Sequence, residues 1–172
     1  MDRYHPITVT LHWLLAVLVI GMLVMGKTGL NALPNSEPDK LWLLGLHRLV
    51  GIAVLVLTVL RIVLRRFLPA PGHLGTGSRF LDKLGVVMPR ILNIFVILMA
   101  ASGIWLGQQA GLSEALSGAA PLPETFYAYT PRMVHAILGT LIIAILVFHV
   151  LGALYHQIML QDRLFSRLWF GK

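Results

Sequence analysis

No cysteine occurs in the 172 residues. That absence removes disulfides, thiolate metal sites, iron–sulfur clusters and thioether-linked haem in one step. Charge is scarce too: 12% of the residues are Asp, Glu, Lys or Arg and 57% are hydrophobic, against about 25% charged in a soluble domain. With a mean hydropathy of +0.80, the composition excludes a soluble globular protein of this length and points to a membrane protein.

Three segments carry no Asp, Glu, Lys or Arg, namely Ile7 to Gly26, Ile91 to Ser113 and Met133 to Gln161, and Leu41 to Leu60 is interrupted by Arg48 alone. Each reaches the roughly 20 residues with which a helix crosses about 30 Å of hydrocarbon. The expected fold is an all-α, integral membrane four-helix transmembrane bundle, one domain over 1–172, with helices at about 7–26, 41–64, 87–107 and 131–160. The first segment is too long for a signal-peptide core, lacks a small-x-small cleavage pattern and contains His12-Trp13, so it reads as a retained helix. Pro89 is placed in the first turn of the third helix. Residues 108–130 form the longest external segment, with Phe126, Tyr127 and Tyr129 suited to an interfacial belt and a short surface helix near Leu112 to Leu116.

The net charge of +7 is distributed as a topology signal rather than as a nucleic-acid footprint. Ten basic residues against three acidic ones lie at the two termini and in the connection between helices two and three, whereas the other connections hold Lys27, Lys40, Arg48 and Arg132 against Glu37, Asp39, Glu114 and Glu124. The positive-inside rule places both termini and the middle connection of this multi-pass chain in the cytoplasm.

Titratable groups inside spans mark functional sites by default, and four histidines lie there: His12, His47, His135 and His149. His135 and His149 are fourteen residues apart on the fourth helix, hence on nearly one face and about 21 Å apart along it. His12 lies five residues into a helix entering from the cytoplasm and His47 six residues into one entering from outside. His12 is therefore level with His149, and His47 with His135. Two layers of paired neutral imidazoles are what two bis-histidine haems require. Four residues after each histidine stands a small one, Ala16, Gly51, Gly139 and Ala153, which would let a flat macrocycle approach the backbone. The plainer alternative is core histidines bonding between helices. A metal-transport path fits less well, since no carboxylate lies in any span and the methionines are scattered. His156 should emerge at the cytoplasmic interface, at the surface or near a propionate, while His5 and His73 should be solvated. Arg48 and Arg132 flank the outer pair, and Arg3, Arg61 and Arg65 reach toward the inner one, as candidates for propionate pairing or interfacial snorkelling. Trp13 and Trp42 read as interface anchors, and Gly103 with Gly107 as a helix-packing pair.

Leu11-His12-Trp13, Gly45-Leu46-His47 with Gly51 and the Arg61/Arg65/Arg66 end, His135 with Gly139, and Phe148-His149 through Ala153, His156, Asp162 and Leu164 together resemble the bacterial four-helix cytochrome b561 family. The resemblance implies a di-haem b electron-transfer protein, with His12, His47, His135 and His149 as axial iron ligands, linked to ubiquinone or another quinone. One branch of the family oxidises periplasmic superoxide. In that case Lys27, Lys40, Arg48 and Arg132 would steer the anion. A second reading is a cytochrome b anchor that passes electrons between a partner dehydrogenase or hydrogenase subunit and quinone. Relatives often carry a histidine near the start of the third helix, where this chain has Met88-Pro89.

Overall fold

The computed structural model describes residues 3–72 and 74–169. Four long helices dominate: α1 (Pro6–Val24), α2 (Pro38–Leu64), α3 (Arg79–Gln109) and α5 (Thr130–Leu154). Short helices α4 (Leu112–Leu116) and α6 (Leu164–Arg167) follow α3 and α5. All four long helices are long and apolar enough to cross a membrane, and their outward faces carry side chains such as Val17, Leu49, Val56 and Ile137. In water such faces would have to be buried; in a bilayer they meet acyl chains of equal polarity.

Proline opens three of the four helices, at Pro6, Pro38 and Pro131, where its missing N–H costs no helical bond. The fourth departs from the sequence reading. α3 starts at Arg79, so Pro89 lies in its interior and leaves the Gly85 carbonyl without its usual donor. Polar anchoring outweighs that loss. Asp82 in the first turn of α3 accepts from Thr76 N–H at 2.7 Å and Thr76 Oγ1 at 2.8 Å, which fixes the helix start nearly three turns before the proline. α1 and α5 also run on past their α-helical parts through π-helical turns at Met25–Leu30 and Tyr155–Met159.

The helices pack in chain order, α1 on α2, α2 on α3 and α3 on α5. Among the described residues neither α1 nor α2 packs comparably on α5, so α5 faces both across a gap. The gap is closed at mid-depth by Leu15, Val54, Val96 and Ile142, one buried side chain from each long helix. Ile142 is seven residues from both His135 and His149 and only 2% exposed. One end of the bundle is tied by Trp13 Nε1–H donating to Leu168 O at 2.8 Å, Tyr4 N–H to Arg167 O at 3.2 Å and Arg167 to Gly72 O at 2.7 Å. That end gathers the first and last described segments and the α2–α3 connection. The other end is tied by Asn35 donating to Pro123 O at 2.8 Å and Arg132 to Asn31 Oδ1 at 2.8 Å. Gly111, at φ +63°, makes the tight turn between α3 and α4 that a side chain would strain.

Candidate functional site

Two pairs of imidazoles face each other across the gap. His12 on α1 meets His149 on α5 with ring centroids 6.3 Å apart and planes at 65°. His47 on α2 meets His135 on α5 at 6.1 Å and 68°. Each pair lies on one side of the plug around Ile142, so the structure brings the four histidines together two by two. A single metal bonded to both rings at about 2 Å on each side would set the centroids roughly 6 Å apart. Among the described residues no group of three or more His, Cys, Asp or Glu is placed to hold a metal.

Around His47 and His135 the gap opens into a cavity of about 760 Å³, within the roughly 300–1,000 Å³ of sites that enclose a cofactor-sized ligand. Its walls are mostly apolar, including Val19, Val54, Val96 and Ile142, and its basic lining groups are Arg48, Arg132, Lys27 and the buried Lys40. His47 Nδ1 is buried and has no hydrogen-bond partner among the described residues. Gly51 and Gly139 both line the cavity; an added Cβ would lie 3.6 Å from the Met22 methyl and 3.3 Å from the Met99 methyl. These are flexible tips that can yield to an occupant. A planar macrocycle with two axial imidazoles therefore fits the donor set, the width and the apolar lining.

The arginines expected to flank the outer pair are engaged. Arg48 donates to Ser113 Oγ at 3.0 Å, and Arg132 bonds Asn31 while lying 5.0 Å over the Tyr127 ring. Lys40, read as part of an external connection, is instead in the first turn of α2 and buried. Its Nζ donates to the carbonyls of Leu30 and Leu33. At the inner pair Arg61 Nη2 approaches His12 Nδ1 at 3.4 Å. His5 caps α1 through Nδ1 and Ile7 N–H at 3.3 Å, and His156 Nδ1 sits 2.5 Å from Asp162 Oδ2. His73 lies outside the described residues.

Ser102 was not among the residues singled out from the sequence. Its Oγ lies 2.9 Å from His135 Nδ1, and Gly103 faces the same ring. Gly103 and Gly107, expected to form one packing pair, have separate roles: Gly107 faces Leu112 of α4. A hydroxyl among Ala100, Ala101 and Gly103 in an apolar span was the available signal. What it touches depends on how α3 is rotated, which spacing alone does not give.

The fold and the paired imidazoles define a class: a helical bundle able to span a membrane, with histidines paired across its interior. The sequence profile of the prokaryotic cytochrome b561 family matches residues 3–171, and the chain belongs to that family. Similar proteins include cytochrome b562 of Cereibacter sphaeroides, 32% identical over 96% of this chain and 94% of the relative. A probable superoxide oxidase of Yersinia pestis is 25% identical, over 96% and 95%. Cytochrome b561 homolog 2 of Escherichia coli is 23% identical, over 97% and 91%. No solved structure gave a match. Membrane electron transfer and haem b binding follow from family membership.

Proposed function

We propose that the chain is a di-haem b electron carrier of the bacterial inner membrane, with His12 and His149 holding one haem and His47 and His135 the other. The observation that carries this reading is the pair of centroid separations, 6.3 and 6.1 Å, each spanning the gap that α5 leaves to α1 and α2 on either side of the central plug. His12 with His149 and His47 with His135 would hold the haems, which when bound would supply one-electron chemistry. The chain's own part is to hold the rings, keep water out with the plug of Leu15, Val54, Val96 and Ile142, and separate the two levels.

We further propose that electrons pass to or from a quinone, and that superoxide is a donor at the outer pair. The name of the Yersinia pestis relative supports the latter. The stoichiometry would be two superoxide anions oxidised to dioxygen for each quinone reduced with two protons. Purified protein tests the reading directly. A dithionite-reduced minus oxidised spectrum should show a b-type α-band, with two haems per chain. One haem or none would reject the di-haem assignment, and a stoichiometric soluble redox subunit in the preparation would favour an anchor role instead.

A further inference from the structure

The two imidazole pairs differ in what stands behind their rings. Behind His135 is Ser102, 5% exposed, whose Oγ lies 2.9 Å from Nδ1 and also donates to the Met99 carbonyl one turn back on α3, at 2.8 Å. A hydroxyl has one proton to give and two lone pairs. The Met99 carbonyl only accepts, so it takes that proton, and Oγ is left to accept from Nδ1–H. This fixes the tautomer of His135: hydrogen on Nδ1, a free lone pair on Nε2. Gly103 makes the seat. A Cβ there would stand 3.1 Å from His135 Cε1 and 3.5 Å from Nδ1, too close for the ring to stay where it is.

Neither His12 nor His47 has this support. His12 Nδ1 faces Arg61, a group that donates and cannot accept, and His47 Nδ1 has no partner among the described residues. We propose that Ser102 is a positioning residue of the outer site, holding His135 in the ligating tautomer and orientation against the space left by Gly103. The proposal rests on reading His47 and His135 as haem ligands. A partner that accepts from the distal N–H of a ligating histidine fixes the ring and raises its basicity, and its loss commonly lowers metal affinity about 10–100-fold.

The test uses purified holoprotein in detergent, with haem transfer to excess apomyoglobin and a spectroscopic redox titration as readouts. In Ser102→Ala one of the two haems should leave roughly 10–100-fold faster. One of the two midpoint potentials should rise, because a less basic imidazole favours the ferric state less; a tenfold change in that equilibrium corresponds to 59 mV for one electron. Ser102→Thr, which keeps the hydroxyl, should restore both. In a His47→Ala background, where the outer haem is already lost, Ser102→Ala should change nothing further. Gly103→Ala keeps the hydroxyl but displaces the ring, and should weaken the same haem. If Ser102→Ala does not reach the membrane, Ser102→Cys, of similar size but with a much weaker acceptor, takes its place with the same expected changes. Unchanged release and potentials in these variants, or Ser102→Thr behaving like Ser102→Ala, would overturn the role of Ser102. Wild-type protein with fewer than two haems, or His47→Ala retaining both, would instead overturn the ligand reading.

Discussion

His12, His47, His135 and His149 differ from the other described histidines in their surroundings. His5 and His156 are used locally, as a helix cap and as the partner of Asp162, while the four face each other across helices. On the proposed reading they act in two independent pairs. His12→Ala or His149→Ala should remove one haem, His47→Ala or His135→Ala the other, and each variant should keep about half the wild-type haem absorbance. If His12→Ala and His135→Ala lost the same haem, the pairing would be wrong. At this scale the sequence was legible where helical rise alone decides height, which is why the levels of the four rings follow from counting residues. Ser102 and Lys40 were not legible, because their partners depend on helix rotation and on where a loop carbonyl comes to rest.

The helices themselves were legible from uninterrupted apolar runs, and their ends less so. α3 begins two turns earlier than a proline-based reading gives, because Asp82 and Thr76 anchor its start. α2 begins before Leu41, which brings Lys40 inside. Its ammonium binds the carbonyls of Leu30, the last residue of the π-helical turn that follows α1, and of Leu33 just beyond it, where helix-end carbonyls lack intrahelical donors. Lys40→Met would leave those acceptors without their donor, at a cost of roughly 1–3 kcal/mol each if they stay buried. A fall of the thermal unfolding midpoint in detergent by several degrees, with both haems still bound at low temperature, is the expected outcome. An unchanged midpoint would show that water replaces the ammonium without loss.

Taken whole, the molecule gathers Tyr4, Gly72 and the Arg167–Leu168 segment at one end and the Asn31, Asn35 and Pro123 contacts at the other. From the uneven charge along the sequence we propose that the first of these ends faces the cytoplasm. Because no native cysteine competes, single substitutions report sidedness cleanly. A membrane-impermeant maleimide should label Ser36→Cys in intact spheroplasts and Thr76→Cys only after permeabilisation. The reverse pattern would invert the proposed topology.

His135 and His149 lie about 21 Å apart along α5, a large fraction of a hydrocarbon layer about 30 Å thick. Traffic between the proposed haems would therefore be electrogenic. An electron descending from the outer level to the inner one moves against an inside-negative voltage, which opposes it by roughly 1.5 kcal/mol for every 100 mV. Energised proteoliposomes should thus hold electrons on the outer haem more than tenfold better than de-energised ones, so that this carrier would slow as the membrane charges.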